Sequence, residues 1–122
     1  IVPGDGGAWL LPRIVGFSRA TELALTGEMF DAQAALAYGL VSHVVPDDQL
    51  MAKAMEIALK VAANPPHAVR MTKRLLRAGQ TATLANILEM SAAMQSLAHA
   101  TKDNDEAIDA FIEKRAPAFR GE

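Results

Sequence analysis

Apolar positions repeat with a helical period over most of this chain. Between residues 49 and 63, Leu50, Ala54, Ile57, Ala58 and Val61 fall on one face. Asp47 or Asp48 is placed to cap the helix they predict. Asn64, Pro65 and Pro66 break the pattern. Pro66 suits the first turn of a second helix, where a missing N–H costs nothing, and Gly79 stops that helix after Ala78. A longer helix is predicted over 83–101, with Leu84, Ile87, Leu88, Ser91, Met94 and Leu97 on or near one stripe. Asp103 is placed to cap a last helix through Arg115. Pro117 ends regular structure and leaves a short tail.

The first third is cut into shorter pieces. Pro3-Gly4-Asp5-Gly6-Gly7 predicts a turn, because Gly and Pro at that density break any regular element. Ala8, Trp9, Leu10 and Leu11 predict one or two helical turns, limited by Pro12 and closed by Gly16. Ser18 is a suitable N-cap for a helix over 19–25, with Gly27 at its C-terminal cap. An extended link follows over 26–30. Asp31 is placed to cap a short alanine-rich helix over 32–38, which Gly39 terminates. The β-branched run over 40–45 reads as a short strand ended by Pro46. The chain is therefore predicted to be mainly α, with six or seven helices and little sheet. Its short alanine-rich helices look made to pack against something larger.

Composition narrows the class. Of 122 residues, 51% are hydrophobic and 21% charged, which suits a globular chain rather than a disordered one. A formal net charge of -2 supplies no basic field for nucleic acid. The absence of cysteine excludes disulfides and thiolate chemistry. No apolar run is long enough to span a bilayer. The chain opens at Ile1, without Met, directly before the glycine-rich turn. It reads as a piece whose beginning lies elsewhere, with a cytoplasmic setting expected.

Few residues stand out for chemistry. Backbone N–H groups in the glycine-rich turn are suited to holding an anion or a carbonyl oxygen, although the spacing matches no nucleotide-binding fingerprint. Asp5 is the carboxylate in that turn, a candidate general acid/base and equally a candidate helix cap. His43, His67 and His99 are scattered and none pairs with another at metal-ligand spacing, so no metal site is expected. Arg70, Lys73, Arg74 and Arg77 form a basic stripe that reads first as a solvated helix face. Phe111, Lys114, Arg115 and Phe119 combine aromatic and cationic groups that suit a phosphorylated adenine. Spacing alone favours an ordinary amphipathic helix end.

Several stretches taken together resemble one known family. Pro3-Gly4-Asp5-Gly6-Gly7, followed by LPRIVG from Leu11, is similar to the pocket loop and next helix of the crotonase (enoyl-CoA hydratase/isomerase) family. ATELALTG from Ala20, AQAALAYGLVSHVV from Ala32, Ala63-Asn64-Pro65-Pro66 followed by Lys73, and AFIEKR from Ala110 follow in family order and spacing. The ordered set covers nearly the whole chain.

The resemblance implies a spiral of ββα turns, of which this chain would be the helical C-terminal region. Residues 1–45 would form the pocket loop, short helices and short strand, and 46–122 a helical region for trimerisation and CoA capping. It implies an acyl-CoA substrate, no separate cofactor, and a homo-trimer or dimer of trimers without nucleic-acid or membrane partners. Two backbone N–H groups would hold a thioester enolate, and two glutamates would handle water and protons. All of these would lie outside the present residues. Pro3 and Gly4 match the loop bordering the acyl pocket. Lys114 matches a lysine that meets the nucleotide end of CoA, often that held by a neighbouring subunit, and Phe111 shares its helix as a candidate pocket residue. Asp5 departs from the small residue common in hydratases. Some family isomerases and dehalogenases carry a catalytic aspartate in this loop, aligned nearest Gly4. Hydration of a 2-enoyl-CoA is the expectation. An isomerase using Asp5 and a non-enzymatic helical assembly module are the alternatives.

Overall fold

A computed structural model describes residues 2–122, which form two compact units, one up to Leu50 and one over Met51–Glu122. The first contains α1 (Gly7–Val15), α2 (Phe17–Thr26), α3 (Ala32–Ala37) and a 3-10 turn at Asp47–Gln49. That turn runs directly into α4 (Leu50–Ala62), and α5 (Pro66–Ala78), α6 (Leu84–His99) and α7 (Lys102–Glu113) complete the second unit. The molecule is mainly α, and no strand occurs among the described residues.

In the first unit, α1 and α2 pack as a hairpin joined by Gly16 alone, whose φ of 84° turns the chain sharply. Pro12 does not limit α1 as its ring would suggest. It sits inside the helix, and only three more residues follow it. The Arg13 guanidinium reaches back to the Trp9 carbonyl at 2.8 Å and stacks 3.9 Å from the Trp9 ring, tying the last turn to the first. Ser18 is not a cap, because α2 begins one residue earlier at Phe17 with Gly16 as N-cap. Gly27 does close α2 in the left-handed conformation, its N–H bonded to the Leu23 carbonyl. Asp31 caps α3 by accepting from the Ala34 N–H at 2.8 Å. Arg19 stacks over Tyr38, which also meets Phe30, so α3 is held to α2 by aromatic and cationic contacts. The predicted strand over 40–45 is irregular instead. A strand is stabilised by a neighbour that completes its hydrogen bonds, and none of the described residues pairs with it.

In the second unit, α5 packs on α6 and α6 on α7. Neither Asp47 nor Asp48 caps α4 by a side-chain bond; the 3-10 turn supplies the first bonds. Pro66 occupies the first turn of α5 and Thr83 caps α6. Asp103 was the expected cap of α7, but that position belongs to Thr101, whose hydroxyl accepts from the Asn104 N–H. Asp103 stands two residues further in, within the first turn of α7, is 3% exposed and serves the tail instead.

Little of either unit is buried. The buried residues are Ala20 and Ala35 in the first and Asp103 and Ala110 in the second. The chain exposes 9616 Å². A folded chain of this mass ordinarily exposes about 6,300 Å², or about 7,600 Å² if the two units count as separate bodies. Many of the exposed residues are large and apolar. Phe17, Leu25, Met29 and Phe111 are each more than three-quarters exposed.

Candidate functional site

The residues singled out from the sequence divide between the two units. In the first, Gly4, Asp5 and Gly6 form the turn that opens α1, with Gly6 at φ 89° as its N-cap. The Gly4 N–H bonds to the Val2 carbonyl at 2.8 Å, and the Gly6 carbonyl accepts from Leu10 at 2.9 Å. The amides of Asp5 and Gly6 have no backbone acceptor among the described residues. Asp5 is exposed and does not cap α1, which has no side-chain cap. An apolar cavity of about 240 Å³ lies beside the turn, between α1 and α2. Pro3, Gly7, Leu11, Pro12, Phe17 and Leu25 are among its lining residues, whereas Gly4 and Asp5 are not.

The second unit holds Phe111 and Lys114. Phe111 is 85% exposed on α7. Lys114 is exposed and ends α7 in the left-handed conformation, at φ 55° and ψ 37°. That conformation costs a residue with a Cβ roughly 1–2 kcal/mol. Arg115 turns back along α7 instead of joining a cationic pair with Lys114. Its Nη1 and Nη2 donate to the two Glu106 oxygens at 2.5 and 2.9 Å, and its Nε to Glu113. Glu106 also accepts from the Ala118 N–H at 2.8 Å. The Arg115 fork, and then the Ala118 N–H, hold the Glu106 carboxyl down at about 2. Arg115 is correspondingly pushed above its ordinary range, first by Glu106 and then by Glu113.

The tail is fastened rather than loose. Asp103 accepts from the Arg120 N–H at 2.7 Å and the Gly121 N–H at 2.8 Å, one on each oxygen. Lys102 pairs with Glu122 at 2.8 Å, which raises the ammonium and lowers the carboxyl through the hydrogen bond between them. His67, in the first turn of α5, meets the Gly121 carbonyl at 2.9 Å through Nε2. Its Nδ1 faces Arg70, which can only donate, so the hydrogen on this ring belongs on Nε2. The tail thus ties the start of α7 to the start of α5. Sequence spacing does not mark Glu106 and Asp103 as organising residues, because their partners lie 9 to 18 positions away, beyond any helical spacing.

The other candidates take plain roles. Arg70, Lys73, Arg74 and Arg77 are exposed on α5, away from Met71 and Leu75, which face α6 across a shallow groove. His43 bonds to neighbouring Ser42 and His99 is exposed in the last turn of α6. On α4, Lys60 and then Lys53 hold the Glu56 carboxyl at about 2, a surface ion-pair triplet. Among the described residues no cluster of His, Asp and Glu could hold a metal ion, and no helix is long and apolar enough to cross a membrane.

This helical architecture is shared with solved structures of one family. The family model for enoyl-CoA hydratase/isomerase matches residues 1–122, and the chain belongs to that family. It is 40% identical over 121 residues to a 2,3-dehydroadipyl-CoA hydratase of Escherichia coli (strain K12), covering 99% of this chain and 48% of that protein. It is 36% identical over 121 residues to a 1,2-epoxyphenylacetyl-CoA isomerase of the same organism, covering 99% of this chain and 46% of that protein. The crystal structure of an enoyl-CoA hydratase from Bacillus anthracis superposes with a TM-score of 0.96 at 45% identity, covering 100% of this chain and 47% of that one. The chain spans about half the length of the curated relatives it matches.

Proposed function

We propose that the intact protein acts on acyl-CoA thioesters, and that its reaction is addition of water to a 2-enoyl-CoA. The family match along the whole chain carries the acyl-CoA part of this reading. The thioester enolate formed on the way would be held by an oxyanion hole and served by two glutamates, as the family resemblance implies, none of them among these residues. Pro3 and Gly4 would border the acyl chain. Lys114 would meet the phosphates of the nucleotide end, with Phe111 alongside. Coenzyme A arrives as part of the substrate, so the reaction needs no separate cofactor. A homo-trimer or dimer of trimers would cover apolar faces that this chain leaves exposed.

Hydration is taken ahead of isomerisation through Asp5 because a 2,3-dehydroadipyl-CoA hydratase at 40% identity and an enoyl-CoA hydratase structure at 45% identity are among the proteins this chain is similar to. The test is loss of the enoyl absorbance when the intact protein meets crotonyl-CoA. Rapid loss, unchanged in Asp5→Asn, supports the reading. No loss with CoA binding intact overturns hydration in favour of another branch of the family, and isomerisation abolished by Asp5→Asn would make Asp5 the proton carrier. A protein that binds no acyl-CoA would instead be a helical assembly module.

A further inference from the structure

Lys114 is the one residue other than glycine with a positive φ among the described residues. A glycine there would be free of strain, as Gly27 is at the end of α2. Ending the helix therefore does not by itself call for a lysine. The backbone at Lys114 is held from both sides. On the helix side, the Lys114 N–H bonds to the Phe111 carbonyl at 3.3 Å and the Arg115 N–H to the Ala110 carbonyl at 3.0 Å. On the tail side, Glu106 grips the chain at two points, the Arg115 guanidinium and the Ala118 N–H. The Lys114 ammonium makes no ion pair among the described residues, which it shares with Arg70, Lys73, Arg74, Arg77 and Arg120 of the same unit; what sets it apart from them is its left-handed backbone. A strained backbone, a carboxylate that maintains it and a charge left unpaired together describe a cation kept in place for something outside this chain.

We infer that Glu106 is a positioning residue for Lys114, holding it through Arg115 and the Ala118 amide where its ammonium meets the phosphates of an acyl-CoA. This rests on the role given to Lys114 in the proposed function. It adds a residue that touches no substrate. Glu106 serves here as an anchor, with both carboxylate oxygens engaged by Arg115 and the Ala118 amide.

The experiment measures the binding of butyryl-CoA and of butyryl-pantetheine, which lacks the nucleotide phosphates, to the intact protein. Both are saturated and inert, so the result does not depend on which reaction the protein performs. Glu106→Gln is expected to weaken butyryl-CoA binding about five-fold, as for one exposed charge contact, and to leave butyryl-pantetheine unchanged. Lys114→Gly is expected to raise Tm by relieving the left-handed strain while weakening butyryl-CoA binding by a similar factor. Adding Glu106→Gln to Lys114→Gly should then cost nothing further. Equal weakening of both ligands by Glu106→Gln, no weakening of either, or additive losses in the double variant would each overturn the inference. If Lys114→Gly leaves butyryl-CoA binding intact, Lys114 loses its nucleotide role and Glu106 its purpose. If these binding results hold but crotonyl-CoA is not hydrated, hydration alone fails and the positioning role stands.

Discussion

Replacing Asp103 by alanine should release the tail and leave the helices formed. The carboxylate is 3% exposed and accepts two backbone N–H groups at 2.7 and 2.8 Å. Hydrogen bonds to a charged acceptor contribute about 1.5–3 kcal/mol each. Their sum is an upper limit. Residues 116–122 have no regular structure and can lift away, so that their amides find water instead of remaining buried without partners. The loss is therefore capped by the free energy of docking the tail, and about 2 kcal/mol is expected. Asp103→Asn should cost less, since one oxygen still accepts, but its amide nitrogen would face an N–H donor. Amide hydrogen exchange reads the result directly. The Arg120 and Gly121 amides should open about 30-fold more readily in Asp103→Ala, while amides in the middle of α6 keep their protection. Unchanged protection at 120 and 121 would show that the tail is held by the Lys102–Glu122 and His67 contacts, and that the buried carboxylate is not its anchor. Loss of protection throughout α5–α7 would show that Asp103 supports the helices themselves.

Three further outcomes follow from the same geometry. Gly121→Ala should loosen the tail by about 1 kcal/mol, because φ is +78° and strains any residue with a Cβ, although the new methyl would meet the Pro66 ring only in ordinary contact at 3.5 Å; denaturant melts and exchange at Arg120 check it. Glu106 and Glu56 both titrate at about 2 when folded, against an ordinary 4.5. Their depressed values mean that the ion pairs contribute fully above 4.5 and are lost as pH falls from 4.5 towards 2. Thermal melts should show Tm declining across that window, with the decline shrinking in high salt and in a Glu56→Gln/Glu106→Gln variant. The 122-residue chain alone should self-associate and fail to hydrate crotonyl-CoA; a monodisperse monomer by light scattering at high concentration would count against the reading of its exposed apolar faces.

Much of the helical framework follows from the sequence by itself. Pro66 and Gly79 bracket α5, Asp31 caps α3 and Gly27 ends α2, because each of these signals acts within one turn of the chain. The family too was legible, since ordered blocks such as LPRIVG and AFIEKR cover most of the length. The departures arose where a local rule met a competitor. Ser18 yielded its capping position to Gly16, and Pro12 was absorbed into α1 close to its end. Residues 40–45 have strand composition but no neighbour to complete a ladder. The roles of Asp103 and Glu106 were decided only by tertiary structure. In sequence Asp103 reads as a helix cap and Glu106 as an ordinary acidic residue on an amphipathic helix, until the tail folds back and brings backbone N–H groups to both. Spacing along a helix records which residues share a face, whereas a hydrogen bond across 9 to 18 residues depends on where the chain returns. For the same reason, φ 55° at Lys114 could not be foreseen: a left-handed lysine persists only where bonds on both sides of it, from Ala110 to Ala118, outweigh its strain.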